Sequence, residues 1–288
     1  MLNGNLKLAI QKKGRLTDKS LQLLKNCGID VEIYSERLLI SARNFELDVL
    51  FLRDDDIPEY VQDGVADLGI VGGNVVAEKK SDVEIIKKLG FGKCSLMIAV
   101  PEKYNLNNVN DLNNKTIATS YPNILKNYLN ENNISAKIIQ LSGSVEISPS
   151  LGVADYICDI VSTGTTLKMN HLKQSFIVYE SESLLIACKK NFDSKKQKLI
   201  ESLLMRIDSA LNARKSKYLM MNIPKNSLSI IKEKLPSLKS PTILSLADES
   251  MLALHAVIPA DKFWEIQSDL KNAGASDILL LPIENIIL

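Results

Sequence analysis

The 288-residue sequence predicts an α/β protein that carries an additional module at its C-terminus. Through the first two thirds of the chain, short apolar runs alternate with longer amphipathic stretches, which is typical of mixed, largely parallel sheets. After Met221 the pattern changes, because Pro224, Pro236 and Pro241 divide the chain into shorter segments. The length is sufficient for two or three compact units that each bury a core.

Clear start and stop signals bound the first βα units. Leu6 to Ile10 predict a strand, and Thr17 to Cys27 predict a helix with a threonine cap at its start and Gly28 after its end. Leu47 to Leu52 predict the next strand, which precedes a helix from Ile57 to Asp63 with proline in its first turn. These units predict neighbouring strands of one sheet.

The chain is expected to leave this sheet and to return to it. Leu68 to Gly72 predict a buried strand that opens into Gly72 to Asn74, where a ligand can approach the backbone closely. Later predicted elements are an exit around Leu96 to Pro101, a new βα unit from Thr116, a returning strand from Ser183 to Cys188 and a helix from Ser194 to Asn212. We expect one lobe of residues 1–95 with 187–220 and a second lobe of residues 96–186.

Residues 221–288 are expected to form a separate module. Its predicted elements are a helix from Ser227 to Leu235, strands Thr242 to Leu246 and Leu252 to Pro259, a helix from Asp261 to Ala273 and a strand from Ile278 to Pro282. If residues near Tyr218 to Ile223 supply a first strand, the order becomes βαββαβ. That order predicts a ferredoxin-like domain.

Composition and charge exclude several classes of function. With 45% apolar and 24% charged residues the chain is globular in composition, and a formal charge of +1 argues against nucleic acid as its main partner. Its four cysteines, Cys27, Cys94, Cys158 and Cys188, lack the spacing of a zinc site or a disulfide framework. Neither a signal-peptide pattern nor an apolar run of about 20 residues is present, so we expect a cytoplasmic protein without membrane contact.

The stretch from Ala154 to Leu167 has the strongest chemical signal. It is a short apolar strand with two carboxylates, Asp155 and Asp159, that leads into a hydroxyl-rich loop. The loop residues are Ser162, Thr163, Gly164, Thr165 and Thr166. Close backbone N–H groups, hydroxyl donors and a helix start suit a phosphate monoester, while carboxylates at the end of the strand suit a sugar diol or a metal. A phosphorylated ribose fits both, although the loop can also be a helix cap and turn without a ligand.

Five ordered segments give the chain a resemblance to a known family. The segments are Ile10 to Leu16, Arg53 to Pro58, Gly64 to Asn74, Ile117 to Pro122 with Leu141 to Glu146, and the strand and loop up to Asn170. In this order and spacing they resemble ATP phosphoribosyltransferase, and the C-terminal module resembles the regulatory domain of its long form. One departure, Gln11 and Lys12 where many members carry Pro-Lys, leaves Lys13 to Arg15 in place.

The resemblance implies a fold, a reaction and partners. The fold is a two-lobed, periplasmic-binding-protein-like catalytic core with its ligand between the lobes, followed by a ferredoxin-like regulatory domain. The reaction is transfer of phosphoribosyl from phosphoribosyl pyrophosphate to N1 of ATP, with Mg²⁺, as the first step of histidine biosynthesis. Implied partners are L-histidine as feedback inhibitor, AMP as a candidate second inhibitor, and further copies of the chain in a dimer and a hexamer.

The resemblance also implies roles for individual residues. Residues 162–166 are assigned to the phosphate of phosphoribosyl pyrophosphate. The catalytic candidates are Asp155, Asp159, Glu146 and Arg15, of which Asp155 and Asp159 are also the metal candidates. The ATP-binding candidates are Lys13, Gly14, Arg15, Arg53, Gly72, Asn74 and Tyr121. The candidates for binding histidine between neighbouring regulatory domains are Leu238, Thr242, Val257, Ser276 and Asp277.

Several alternatives stay open at the level of the sequence. Lys13 to Arg15 can be a solvated turn, and Glu146 can be a surface carboxylate. Arg53 can face the cleft or belong to an exposed cluster with Asp54 to Asp56 at a helix start. For the whole chain, the competing hypotheses are a small-molecule-binding protein or sensor, and an inactive family member that serves a partner enzyme. The C-terminal module can also serve only to hold an oligomer together.

Overall fold

The computed structural model describes residues 4–32, 37–161 and 164–287. Contacts between residues divide the chain into two compact units, one of Met1–Gln22 with Val31–Lys196 and the other of Leu23–Asp30 with Gln197–Leu288. Two of the sheets formed by the described residues belong to the first unit, and a third sheet belongs to the second. The two units are described separately below.

The elements follow the alternation that the sequence predicts. The strands are β1 (Leu6–Gln11), β2 (Leu39–Ser41), β3 (Leu47–Leu52), β4 (Leu68–Gly72), β5 (Glu84–Lys88), β6 (Cys94–Pro101), β7 (Thr116–Thr119), β8 (Lys137–Gln140), β9 (Tyr156–Val161), β10 (Leu172–Ser181), β11 (Ser183–Ala187), β12 (Ser216–Pro224), β13 (Thr242–Ser245), β14 (Met251–Pro259) and β15 (Ser276–Pro282). The helices are α1 (Thr17–Asn26), α2 (Ile57–Gln62), α3 (Gly73–Lys79), α4 (Pro122–Glu131), α5 (Thr165–Met169), α6 (Ser194–Arg214), α7 (Leu228–Lys234) and α8 (Phe263–Asn272). Short 3-10 turns occupy Asp54–Asp56, Val109–Leu112, Val145–Ile147 and Lys225–Ser227.

The first sheet forms lobe I of the first unit. Its strand order is β2-β3-β1-β4-β11-β5, and β1 runs parallel to both β3 and β4. Every residue of β4 and β11 is buried, as expected for central strands that are covered on both faces. Because parallel strands end at the same edge, the segments that follow β1, β3 and β4 meet there.

The second sheet forms lobe II. Its order is β10-β6-β9-β7-β8, with β7 parallel to β8 and β9, and β6 antiparallel to β9. The chain enters this lobe between β5 and β6 and leaves it between β10 and β11. Two α/β lobes are thus joined by two crossovers, which confirms the two-lobed fold class predicted from the sequence.

The third sheet has the order β13-β14-β12-β15. With α7 after β12 and α8 after β14, the element order is βαββαβ, and all neighbouring strands are antiparallel. Ile231 of α7 and Phe263 and Leu270 of α8 pack with the buried strand residues in one core. The ferredoxin-like domain is confirmed, and β12 is the first strand on which that prediction depended.

Two further properties concern helices and cysteines. None of the described helices is long and apolar enough to cross a membrane.

The four cysteines all lie in described segments, where each is buried as a free thiol. Burial raises the pKa of Cys27 to about 11 and also raises the pKa of Cys158, so both remain protonated at neutral pH.

A buried carboxylate joins β1, β4 and the start of α6 in the first unit. Asp67 is 1% exposed. It accepts hydrogen bonds from the Lys7 N–H at 2.9 Å and from Lys196 Nζ at 2.7 Å, and Lys190 Nζ lies 3.1 Å away. Burial acts to raise the pKa of Asp67, but the bonds from Lys196, Lys7 and Lys190 together hold it below its ordinary value.

We predict that Asp67→Asn destabilises the protein by about 3 kcal/mol, because two lysine charges lose their buried partner. The folded-state pKa lies below the unfolded one, so this stabilisation is present at neutral pH and lost as the pH falls through the acid range. Denaturant unfolding at several pH values measures the loss. Asp82→Asn, which breaks an exposed pair with Lys189, is the control and should change stability by less than about 0.5 kcal/mol. Equal stability of Asp67→Asn and wild type at neutral pH would contradict the prediction.

Candidate active site

The carboxyl edges of the two sheets in the first unit carry most of the predicted site residues. In lobe I, Arg15 follows β1, Arg53 follows β3 and Asn74 follows β4. In lobe II, Tyr121 follows β7 and Asp159 lies near the end of β9. Asn74 Nδ2 donates a hydrogen bond to the Tyr121 hydroxyl at 3.3 Å. The two edges therefore face each other across a cleft.

A cavity of about 700 Å³ opens at this cleft. Both lobes contribute to its lining, which consists of Asp55, Val75, Glu78, Lys79, residues 120–123, residues 140–145 and Asp159. The volume is in the range of small-molecule sites. Three of these residues are carboxylates and Lys79 is the one lysine among them. A polyphosphate bound here needs cations from outside this lining.

The predicted phosphate loop is described from Gly164 onward, and Ser162 and Thr163 lie outside the described residues. Gly164 has a φ of +76° and stands at the start of α5. A Cβ at this position would lie 2.6 Å from Gln174 Nε2, the end of a side chain that can move aside, so the positive φ is the main reason for glycine here. Thr165 and Thr166 are exposed in the first turn. The described part of the loop thus presents hydroxyl groups and backbone at a helix start.

Asp159 and Glu146 are two carboxylates near enough for the charge of Glu146 to act on Asp159. Asp159 is the fourth residue of β9, and Glu146 lies in the 3-10 turn Val145–Ile147. Burial raises the pKa of Asp159, a hydrogen bond from the Ile160 N–H at 2.7 Å opposes this, and the negative charge of Glu146 raises the pKa further. A cation near both carboxylates would offset this repulsion.

Asp155 lies away from this pair. It precedes the first residue of β9, and its Oδ2 accepts a hydrogen bond from the Thr116 N–H at 2.8 Å. At about 3.3 Å per residue, four residues of strand separate Asp155 from Asp159 by about 13 Å. Asp155 lines a different cavity, of about 260 Å³, with Lys103 and Tyr104. The expectation that both carboxylates lie at the carboxyl end of the strand and share one metal is therefore wrong, since metal–oxygen distances are about 2.0 to 2.6 Å.

The sequence did not single out Asp54, on which the charge of Arg15 acts. Its Oδ1 is buried and has no hydrogen-bond partner among the described residues. Burial and the neighbouring Asp55 raise the pKa of Asp54 to about 6, while Arg15 lowers it. The Arg15 guanidinium also lies 3.9 Å from where a Cβ on Gly72 would be, and its charge acts on Tyr121. Arg15 is therefore close to the acidic run, to β4 and to lobe II.

The remaining ATP-binding candidates divide into exposed and buried residues. Lys13, Gly14 and Arg53 are exposed at the lobe I edge. Asn74 is 1% exposed. Its N–H donates to Ser181 Oγ at 3.0 Å, its Oδ1 accepts from the same hydroxyl at 2.9 Å, and its Nδ2 is bonded to Tyr121. The polar groups of Asn74 thus connect α3 to Ser181 and to Tyr121.

The histidine candidates form two groups toward opposite edges of the third sheet, with Val257 on the inner strand β14. The Leu238 N–H donates to the Val257 carbonyl at 3.0 Å, and Thr242 begins the edge strand β13. Ser276 and Asp277 begin β15, which is the other edge strand. Since β14 and β12 lie between these edges, one copy of the domain does not bring the two groups together.

Family models match both parts of the chain. A model described as ATP phosphoribosyltransferase matches residues 53–209, and one described as HisG, C-terminal domain, matches residues 213–285. The ATP phosphoribosyltransferase of Cytophaga hutchinsonii is 50% identical over 98% of both chains. The protein of the same name from Bacteroides thetaiotaomicron is 48% identical over 98% of this chain and 99% of its own.

A solved structure of the same family has a similar fold. A chain of the ATP phosphoribosyl transferase (HisG:HisZ) complex from Thermotoga maritima matches with a TM-score of 0.59 and 30% identity. The match covers 98% of that chain and 70% of this one. The first unit is thus one of the two-lobed α/β proteins with a cleft between the lobes. The chain belongs to the ATP phosphoribosyltransferase family, and its C-terminal domain confirms the predicted long form.

We predict that Gly164→Val weakens binding of phosphoribosyl pyrophosphate by about tenfold or more, because a lost charge-assisted hydrogen bond costs about 1.5 to 3 kcal/mol. Valine is strained at a φ of +76° and would displace Gln174 from the loop. Isothermal titration calorimetry measures the affinity. Gly152→Val is the control, because Gly152 has a φ of +70° with no atom near its Cβ position. Unchanged affinity in Gly164→Val would remove this loop from the binding site.

Proposed function

We propose that this chain transfers the phosphoribosyl group from phosphoribosyl pyrophosphate to N1 of ATP, giving N1-(5-phosphoribosyl)-ATP and pyrophosphate. This reaction is the first step of histidine biosynthesis, and we expect it in the cytoplasm. The observation that carries the proposal is the 50% identity to the ATP phosphoribosyltransferase of Cytophaga hutchinsonii over 98% of both chains. The cleft geometry supports it, since the candidate groups for both substrates lie on facing edges of the two lobes.

Lobe II is the proposed site of phosphoribosyl pyrophosphate. Backbone groups and hydroxyls of residues 162–166 would hold the 5-phosphate at the start of α5. Asp159, at the end of the adjacent strand, would orient the ribose hydroxyls, and Glu146 lies close enough for its charge to act on Asp159. Bound in this way, the substrate would direct C1 of its ribose toward the cleft.

Lobe I is the proposed site of the ATP phosphates. Lys13, Arg15 and Arg53 supply positive charge at its carboxyl edge. Arg15 is the best placed of them, because its charge acts on both Asp54 and Tyr121. A guanidinium stays charged at all physiological pH values and can bind two phosphate oxygens at once. Tyr121, whose pKa burial raises to about 12, remains a neutral hydroxyl beside the bound nucleotide.

The chemistry needs positioning more than a reactive side chain. The lone pair of adenine N1 forms a bond to ribose C1 while the bond from C1 to the pyrophosphate oxygen breaks, and pyrophosphate leaves with the bonding electrons. Positive charge develops on the sugar, as in other glycosyl transfers. The carboxylate of Asp159 can stabilise that charge, while the lobe I cations hold the phosphates of the attacking ATP. Alignment of the two substrates by the lobes supplies the remaining acceleration.

Magnesium would suit the carboxylates of Asp159 and Glu146. Asp159 and Glu146 provide two neighbouring carboxylates, and no described residues form a group of three or more metal ligands. Magnesium commonly binds one or two carboxylates together with substrate phosphate oxygens, so these two residues would hold it jointly with the pyrophosphate. When bound, the ion neutralises charge on the pyrophosphate group. Asp155 is too far from this pair to join the same site.

The direct test is an absorbance assay for phosphoribosyl-ATP. The purified chain is mixed with ATP, phosphoribosyl pyrophosphate and Mg²⁺, and product formation is followed and confirmed by mass spectrometry. We expect product that depends on both substrates. A chain that binds both substrates but forms no product would instead favour the binding protein or the inactive family member.

We predict that Asp159→Asn lowers turnover about 10- to 100-fold, because the loss of a charged contact costs about 1.5 to 3 kcal/mol. Asp155→Asn is the matched control, since it removes a carboxylate from the other end of the same strand. Its turnover should stay within about twofold of wild type. Steady-state rates at saturating substrates, together with thermal unfolding of each variant, separate catalysis from stability. Equal effects of the two substitutions would contradict the proposed role of Asp159.

Regulation is the proposed role of the C-terminal domain. L-histidine would bind where Thr242, Leu238 and Val257 of one copy meet Ser276 and Asp277 of another, within a hexamer. Binding would inhibit at a distance by favouring a less active arrangement, which requires tighter binding to that arrangement. AMP is proposed as a second inhibitor, at the ATP site. The histidine candidates on the β13 side and on the β15 side lie at opposite edges of the sheet, which supports a histidine site between two copies of the domain.

We predict that Thr242→Val weakens inhibition by histidine about tenfold and leaves uninhibited turnover unchanged, because one hydrogen bond is worth about 1 to 1.5 kcal/mol. Thr242 is exposed on β13, so the substitution should not affect folding. Ser245→Ala, at the other end of the same strand, is the control. The inhibition constant from rates at several histidine concentrations is the measurement. If both variants are inhibited as wild type is, the histidine site lies elsewhere.

A further inference from the structure

The start of α4 in lobe II is capped by a carboxylate from lobe I. Glu78 lies near the end of α3, and its Oε1 and Oε2 accept hydrogen bonds from the N–H groups of Asn123 and Ile124, each at 3.0 Å. The Asn123 side chain donates a further bond, from Nδ2 to the Glu78 carbonyl oxygen at 3.0 Å. Three hydrogen bonds thus connect the lobes through one residue of α3.

Glu78 satisfies the amides that α4 cannot satisfy itself. Pro122 occupies the first position of the helix and has no N–H. The Leu125 N–H bonds to the Tyr121 carbonyl at 3.1 Å, and among the described residues the Tyr121 side chain makes no cap hydrogen bond. The backbone N–H groups of Asn123 and Ile124 therefore have no partner within the helix and donate to Glu78 instead. The helix dipole stabilises the negative charge of the Glu78 carboxylate at this position. The protein's own carboxylate therefore fills the anion-binding position at this helix start.

This connection lies at the candidate active site. Glu78 and Asn123 both line the cavity of about 700 Å³ between the lobes. Tyr121, just before α4, receives its hydrogen bond from Asn74 of α3. Ala77, next to Glu78, packs against the lobe II core. The position of the segment from Ser120 to Asn123 relative to lobe I therefore depends on the contact between α3 and α4.

We propose that Glu78 is a positioning residue, which aligns the lobe II segment of residues 120–123 with lobe I by capping α4 across the cleft. The inference rests on the proposed function, in which the substrates bound to the two lobes must meet. The described residues among the proposed contacts of phosphoribosyl pyrophosphate, Asp159 and residues 164–166, lie within lobe II. Binding of that substrate alone does not need the alignment, whereas transfer to ATP does.

The test compares Glu78→Gln with Asp111→Asn. Asp111 Oδ2 also accepts two backbone hydrogen bonds, from Asn107 and Asn108 at 2.9 and 3.0 Å, but both stay within lobe II. For Glu78→Gln we expect kcat to fall about tenfold or more, because small misplacements of reacting groups are costly. The Kd for phosphoribosyl pyrophosphate, from calorimetry, should change by less than twofold. Asp111→Asn should alter neither quantity, although it loses a cap of the same kind.

Hydrogen exchange provides a readout that does not depend on activity. In Glu78→Gln, the peptide of residues 119–126 should exchange faster than in wild type, as measured by mass spectrometry. Asn123→Ala is a milder second variant, which keeps both bonds to the helix amides and should lower kcat only two- to threefold.

Three results would overturn the role of Glu78. They are unchanged exchange in Glu78→Gln, faster exchange with unchanged kcat, or equal losses of kcat in Glu78→Gln and Asp111→Asn. An inactive wild-type chain would overturn the proposed function as well, so the two failures are distinguishable.

Discussion

Parallel strand pairing is the constraint on which the site depends. In lobe I, β1, β3 and β4 run in one direction, and in lobe II β7, β8 and β9 do the same. Residues as distant in sequence as Arg15 and Asp159 reach the cleft because each follows such a strand or lies near its end. Strand ends also leave backbone groups that the sheet does not pair, and these are available to ligands. The crossovers then turn the two edges toward each other.

Local sequence signals account for the elements but only for part of the site. Apolar alternation and helix caps are local, so β3 has the predicted bounds and α2 begins at Ile57 beside its proline. Residue spacing did not show where β9 begins, which is why Asp155 was placed at the wrong end of the strand. Asp54 and Glu78 could not be found in the same way. Their orientation is decided by packing between elements that are far apart in sequence.

The cleft concentrates negative charge at a cost in free energy. Burial holds the pKa of Asp54 at about 6 and raises the pKa of Asp159, so each carboxylate is less stable as an anion than it would be in water. The carboxylate of Glu78 differs from these two in accepting hydrogen bonds from two backbone N–H groups at the start of α4. Active sites commonly retain such unfavourable groups when the rest of the fold is stable enough to hold them. A ligand that brings a cation would stabilise the ionised forms of these carboxylates.

The two edges of the third sheet limit the symmetry of any assembly that uses both. The strand β13 is exposed at every position, and β15 lies at the far side of the sheet. A twofold axis would bring identical edges together, whereas a site made from one edge of each kind requires a head-to-tail contact. Such contacts either close into a ring or continue as a filament. If histidine binds between unlike edges, a hexamer of this chain is built from closed rings, and inhibition acts on the ring as a unit.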